Sequence, residues 1–274
     1  MRVLLIGASG QLGVEIDKLL SKKHHVIKLY NSSEIPDGYK MDITDFAHLE
    51  DFIIKTRPEV IINTAAMTDV DKCETEREKA YKINAEAVRH MVRASRVIDA
   101  YFIHISTDYI FDGIKGNYKE EDLPNPINYY GLTKLLGETF ALSYDDSLVI
   151  RTSGVFRHKG FPVYVYKTLK EGKTIFAYKG YYSPISARKL ASAIEELLTL
   201  RKTGLLNVAS ERISRYELAL KIKEKFNLSG EVREVDEVKG WVAKRPFDSS
   251  LDSSKARKFL SVDFYSLDLD GMVV

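Results

Sequence analysis

The apolar run Val3-Leu4-Leu5-Ile6 leads straight into Gly7-Ala8-Ser9-Gly10-Gln11-Leu12-Gly13, and helical spacing begins at Gln11. Nothing else in the chain restricts its fold as much. A strand, a glycine turn and a helix in that order open a dinucleotide-binding unit. Glycines let the backbone turn tightly and approach a pyrophosphate. The helix start adds free N–H donors and a positive dipole end. The spacing is Gly-x-x-Gly-x-x-Gly, one residue longer than the general dinucleotide pattern. Gly7, Ser9 and Gly10 are therefore candidate cofactor contacts.

The rhythm continues for about 150 residues. Strands are predicted at Val26–Tyr30, Val60–Ile62, Tyr101–Ile105 and Leu148–Ile150, and helices over 45–55, 76–99 and 130–142. The strands are continuously apolar rather than alternating, which places them in a parallel sheet covered on both faces. Strand–helix alternation makes this an α/β chain with a doubly wound parallel Rossmann sheet. After Arg151 the rhythm loosens. Helices are predicted over 161–171, 187–201, 216–226 and 253–259, and strands over 174–177, 205–208 and 232–235. The expected division is 1–151 for NAD(P) binding and 152–274 mainly for a small α/β substrate lobe packed against it.

The balance of 41 Lys plus Arg against 39 Asp plus Glu leaves a net charge of +2. That gives no drive toward nucleic acid or an anionic membrane, so a bound anion must be held by local geometry. No run of roughly 18 apolar residues is present, and Val3–Ile6 is too short for a signal-peptide core. The single cysteine, Cys73, excludes an intrachain disulfide and fits a cytoplasmic protein. Its acidic neighbours Asp71, Glu74 and Glu76 disfavour a thiolate. The histidines, His104 and His48 among them, have no metal-like spacing, and no metal site is read from the chain.

An acid at the end of the second strand would bond the adenosine ribose. Here that strand ends Leu29-Tyr30-Asn31-Ser32-Ser33. Asn31 and the two serines suit a hydroxyl or a 2′-phosphate, with Lys28 near, so NADPH is favoured and NADH also fits. Small residues in Asn63-Thr64-Ala65-Ala66 let the chain pass close to a cofactor at Ala65 and Ala66. Ser106-Thr107-Asp108 closes another strand, and Tyr130-Gly-Leu-Thr-Lys134 opens a helix. A tyrosine and a lysine four apart share a helix face. An ammonium beside a phenol lowers its pKa, and such a tyrosine can exchange a proton with a substrate oxygen while hydride moves to carbon. Lys134 can also hold the nicotinamide ribose, and Thr107 or Ser106 can polarise the carbonyl. Tyr166 and Lys170 share the spacing but lack this context, and read as a solvated face. Asn84, on the long helix, suits either a water relay or helix packing. In the second half Arg245 precedes Pro246, which biases it to an extended backbone able to present a guanidinium fork to a substrate diphosphate.

Taken in order, Gly7–Gly13, Met41–Asp45, Asn63–Glu74, Ser106–Gly113, Tyr130–Glu138, Arg151–Ser153 and Arg245–Asp252 resemble the dTDP-4-dehydrorhamnose reductase family, extended short-chain dehydrogenase/reductases. The resemblance implies reduction of the 4-keto group of a dTDP-6-deoxy sugar by NADPH or NADH. It implies Thr107, Tyr130 and Lys134 as catalytic residues and Gly10, Gln11 and Leu12 at the pyrophosphate. Asp42 and Ile43 would lie near the adenine, and Ala65, Ala66 and Thr68 beside the cofactor. Thr107, Asp108 and Tyr109 would face the sugar. Gly154 stands where bacterial members carry a pocket tryptophan, and Pro184-Ile185 where they often carry Pro-Thr. The missing tryptophan implies a roomier pocket and broader nucleotide-sugar selection. Glu15 matches an acid that builds a magnesium-linked homodimer in some members. Two other assignments share these motifs: the NADP-binding regulatory β subunit of methionine adenosyltransferase, and other nucleotide-sugar reductases or epimerases.

Overall fold

The computed structural model describes residues 1–274. Seven parallel strands form one sheet in the order β3-β2-β1-β4-β5-β6-β9. They are β1 (Arg2–Ile6), β2 (His25–Tyr30), β3 (Gly38–Lys40), β4 (Val60–Asn63), β5 (Tyr101–Thr107), β6 (Ser147–Thr152) and β9 (Gly204–Asn207). Strand order reverses between β1 and β4, the place where a doubly wound sheet opens a ligand crevice beyond its carboxyl edge. Residues Val60–Asn63 and Ser147–Thr152 are buried throughout, as continuously apolar strands require.

Helices cover both faces. On one, α1 (Gln11–Leu20) and α8 (Ala187–Leu200) bury Ile16, Leu20, Leu190, Ile194 and Leu197. On the other, α2 (Phe46–Thr56) and α5 (Ala87–Ile98) bury Leu49, Ile53, Val88 and Met91. Asp45, expected inside α2, is its N-cap and accepts from His48 N at 3.2 Å. The edge strand β3 was not foreseen. Its three residues, Gly38-Tyr39-Lys40, are half-exposed and carry no apolar signature, and pairing with β2 alone makes them a strand.

The long helix expected over 76–99 is interrupted. Two short helices, α3 (Val70–Thr75) and α4 (Arg77–Tyr81), precede a π turn at Lys82–Glu86 that continues into α5. Two close contacts sit at that turn. Asn84 bonds the Met67 backbone through both ends of its amide. A Cβ on Gly137 of α6 (Tyr129–Leu142) would lie 2.2 Å from Asn84 O. Inserted π turns of this kind are concentrated at functional sites.

The second half is divided between two tasks. β9 hydrogen-bonds to β6 and α8 packs on α1, so both complete the main sheet and its cover. The remaining segments build a lobe: α7 (Phe161–Lys170), β7 (Ile175–Tyr178), β8 (Tyr181–Tyr182), β10 (Ile213–Ser214), α9 (Arg215–Lys225) and β11 (Val232–Val235). The lobe has its own core of Phe156, Val165, Leu169, Ile175, Leu218 and Ile222. A short helix, α10 (Ser254–Arg257), follows. No helix is long and apolar enough to cross a membrane.

Candidate active site

The three glycines of the first turn do different work. Gly7 has φ +82°, and a Cβ would lie 2.7 Å from Thr64 Oγ1 and 2.8 Å from Ala65 N, so the turn against β4 admits only glycine. Gly13 lets α1 press onto that turn, since a Cβ would sit 2.2 Å from Gly7 O. Gly10 differs: its nearest protein neighbour would be Gly7 O at 3.2 Å, and its φ of −73° suits any residue. It caps α1 with no side-chain acceptor, which leaves the first-turn N–H groups for an external anion. A cleft of about 260 Å³ opens there, walled by Gly7, Ser9, Gly10, Asn31, Asp42, Ile43, Ala65 and Ala66. Tyr30, Ser32, Met41, Thr64 and Ile83 also line it. Ser32, Met41 and Thr64 lie in stretches already marked by the sequence; Tyr30 and Ile83 come in because of how the strands and the π turn pack.

Four positions read from the sequence as cofactor neighbours, Gln11, Leu12, Thr68 and Lys28, lie outside this cleft wall. Gln11 Oε1 accepts from Arg157 N at 2.9 Å and Lys159 N at 2.8 Å, and Leu12 is buried in the core, so either can reach a pyrophosphate only through backbone N–H. Thr68 is exposed and absent from the cleft wall. Lys28 faces Asp17 of α1 at 3.7 Å, so it is not placed for a 2′-phosphate. Asp42 closes a tight turn by accepting from Thr44 N and Oγ1 at 2.9 and 2.7 Å, and those bonds hold its carboxyl below the usual range.

The second constellation lies where β5 meets the first turn of α6. Asn128 caps that helix, accepting from Gly131 N at 2.8 Å and donating to Lys244 O at 2.9 Å. A Cβ on Gly131 would lie 2.0 Å from Tyr109 O, so this glycine seats the helix on the end of β5. Asn84 ties the same turn to the cofactor side, donating to Thr133 Oγ1 at 3.1 Å while Thr133 donates to Tyr130 O at 2.9 Å. Asn84 is thus a packing clamp, the second of the two roles its sequence position suits.

Within this frame Lys134 Nζ donates to Ile105 O at 2.6 Å, which leaves two N–H bonds free. Burial lowers its pKa to about 8, against the pull of the Glu138 carboxylate. Burial also raises the Tyr130 phenol above its ordinary value, while the Thr107 hydroxyl pulls it down. The phenol is therefore not drawn toward neutrality as expected: desolvation outweighs the Thr107 hydrogen bond in the protein alone. A proton donor gains from this, since Tyr130 stays protonated at working pH.

Of the two hydroxyls, Thr107 is the one paired with the Tyr130 phenol, while Ser106 donates to Glu138 Oε2 at 2.8 Å. Thr107 Oγ1 donates to Asp108 Oδ1 at 3.1 Å and accepts from Tyr109 N at 3.2 Å. Asp108, expected at the sugar, is committed inside the protein. Its carboxyl is raised by burial, and Ser249, Ser153 and Thr107 all donate to it. It joins β5, β6 and the tail rather than presenting a free carboxylate. Tyr109 stands edge-on to Tyr130, with ring centroids 5.9 Å apart. Cys73 is buried and its thiol pushed up to about 12 by desolvation, so it is not a nucleophile.

A family profile described as RmlD substrate binding domain matches residues 1–269. The chain belongs to the dTDP-4-dehydrorhamnose reductase family. A crystal structure of a hypothetical dTDP-4-dehydrorhamnose reductase from Sulfolobus tokodaii is 80% identical over 100% of both chains, with TM-score 0.99. The Bacillus anthracis dTDP-4-dehydrorhamnose reductase in complex with NADP is 30% identical over 98% of this chain and 96% of its own, with TM-score 0.88. The spore coat polysaccharide biosynthesis protein SpsK of Bacillus subtilis is 35% identical over 83% of this chain and 80% of its own length. Methionine adenosyltransferase 2 subunit beta of Bos taurus is 28% identical over 93% and 81%.

One departure from the reductase family pattern and one expected substrate contact change meaning in three dimensions. Gly154 has φ +47°, and a Cβ there would meet Tyr182 Cε2 at 2.6 Å. The tyrosine ring fills the space beside Gly154, so the absent tryptophan does not leave the roomier pocket expected. Arg245, expected to fork onto a diphosphate, forks onto Asp71 instead, at 2.9 and 3.0 Å, and also donates to Ala243 O. Asp71 also accepts from Val242 N and Ala243 N, and its carboxyl is lowered to about 2 by the Arg245 bond. This pair fastens the 241–245 loop to α3. Glu15 is likewise engaged, by Arg157 at 2.6 Å and Lys18 at 2.8 Å. No group of three metal-binding side chains is present.

Proposed function

We propose that this reductase uses NADPH or NADH to reduce the 4-keto group of a dTDP-4-dehydro-6-deoxy sugar, with residues 1–151 mainly binding the cofactor and 152–274 mainly the nucleotide sugar. The observation that carries the reading is that the Tyr130 phenol pairs with Thr107 at the end of β5 while Lys134, one turn on along α6, donates to Ile105 O of the same strand, at the carboxyl edge of the sheet whose first crossover forms the glycine-lined cleft. The bound nicotinamide supplies hydride. The chain's own residues supply the rest. First-turn N–H groups of α1 hold the pyrophosphate, and Asn31, Asp42 and Ile43 line the adenosine end. Lys134 keeps two donors for the nicotinamide ribose, Thr107 orients the substrate oxygen, and Tyr130 gives that oxygen a proton. The deciding test is to mix the protein with NADPH and dTDP-4-keto-6-deoxy-L-mannose and follow absorbance at the nicotinamide band. Rapid loss supports the reading. NADP binding with no turnover, together with copurification with methionine adenosyltransferase, would replace it with the regulatory-subunit reading.

Two expectations attach to the cofactor end. Gly10→Val puts methyl groups into ligand space but meets little protein, so it should leave the fold intact and abolish measurable NADPH binding by calorimetry. Unchanged affinity would remove the pyrophosphate assignment. The second concerns pH. As pH rises through about 8, Lys134 loses the proton that makes it an ammonium, so kcat/KM should fall there. Stability should move the other way. Between about 8 and the ordinary lysine value near 10.4, the unfolded chain holds a proton that the native one does not, so this group makes stability rise with pH. A basic limb that persists in Lys134→Met would assign it to another group.

A further inference from the structure

Two polar atoms next to the catalytic residues are buried without any partner: Arg215 Nη1 and Tyr182 Oη. They belong to one assembly. β8 and β10 pair with Ile213 opposite Tyr182, which brings Arg215 beside that ring. The guanidinium carbon lies 4.3 Å from the Tyr182 ring centroid. Stacking occupies the face of the guanidinium and leaves its in-plane N–H groups free. Of those, the only one bonded to protein is on Nη2, which reaches Tyr109 Oη at 3.5 Å. Neighbouring arginines are different: Arg151, Arg212 and Arg245 each sit on a carboxylate. A charged donor left unsatisfied away from water costs at least ~1–3 kcal/mol, and a ligand oxygen removes that cost.

Position points to the ligand. Tyr109 bridges Arg215 and the proton donor Tyr130, so Arg215 lies one aromatic residue away from the reacting end. Tyr182 is 3% exposed, and its ring is held against Gly154, where any side chain would displace it. Gly154, Tyr182 and Arg215 thus pack together, and Arg215 Nη1 and the Tyr182 hydroxyl have no protein partner there. We infer that Arg215 and the Tyr182 hydroxyl form the subsite for the substrate's diphosphate, the role Arg245 cannot take while Asp71 holds it. This rests on the nucleotide-sugar reading above.

The test uses the full chain saturated with NADP⁺, titrated with dTDP and with UDP by calorimetry. Arg215→Met should weaken diphosphate binding by about 10- to 100-fold, the range for a charged hydrogen bond. Arg215→Lys, which keeps the charge without the fork, should fall between. Tyr182→Phe keeps the ring against Gly154 and should cost about 2- to 10-fold. NADP⁺ affinity should hold in all three. Diphosphate affinity unchanged in Arg215→Met overturns the subsite and leaves the reductase reading standing. Wild-type protein that binds NADP⁺ but neither dTDP nor UDP overturns both. Should Arg215→Met also lose NADP⁺, the Tyr182→Phe result decides, and unchanged dTDP affinity there overturns the subsite.

Discussion

Tyr130→Phe should lower kcat by about 10²–10⁴-fold while NADPH affinity holds, because the change removes a proton donor and almost no volume. The surroundings make the effect specific. Tyr130 is raised by burial, so it enters the reaction protonated, and reduction of a ketone leaves an alkoxide more basic than any phenol. Lys134 bonds Ile105 O and does not depend on the phenol for its place, so the cofactor side should be undisturbed. The check is steady-state kinetics with stopped-flow measurement of NADPH binding. Wild-type turnover in this variant would show that the proton comes from elsewhere, and the assignment of Tyr130 would be withdrawn.

Glu138→Gln should destabilise the protein by about 3–5 kcal/mol, although Glu138 touches no expected substrate. It lies one helical turn after Lys134 and is 2% exposed. Its carboxylate takes Arg151 Nη2 at 2.5 Å, Arg151 Nε at 3.1 Å and the Ser106 hydroxyl at 2.8 Å. Arg151 is 2% exposed and stacks over Phe111 at 5.2 Å. An amide in place of the carboxylate leaves a buried cation without its counter-charge, which is the costly way to break such a pair. The double change Glu138→Gln with Arg151→Met should recover much of the loss, since it removes both charges together. Urea denaturation of the three proteins tests this. A single-variant loss below about 1 kcal/mol would mean that the pair contributes little. The same variant should move the basic limb of kcat/KM to lower pH, because Glu138 is the charge that holds the Lys134 proton against desolvation.

Residues that act through near neighbours were readable from sequence. The strand–turn–helix of residues 2–20 follows from a local apolar run and glycine spacing, and the pairing of Tyr130 with Lys134 follows from helix periodicity. Both depend on contacts within a few residues, which spacing encodes. What the other polar groups do was settled by partners far along the chain. Arg245 and Asp71 are 174 residues apart, and only packing of the tail on α3 brings them together and removes the arginine from the substrate. Gly154 reads as a gap until the fold lays Tyr182 across it. β9 and α8, distant in sequence, extend the sheet beside β6 and cover α1, because the faces of a parallel sheet and an apolar helix face must be buried. Sequence periodicity thus determined most of the sheet strands and their covering helices and the pairing of Tyr130 with Lys134, though not β3 or the break at Lys82–Glu86. Tertiary packing decided which charges are spent inside the protein and which, like Arg215, remain unsatisfied, because a buried charge takes whichever partner the fold brings within hydrogen-bonding reach.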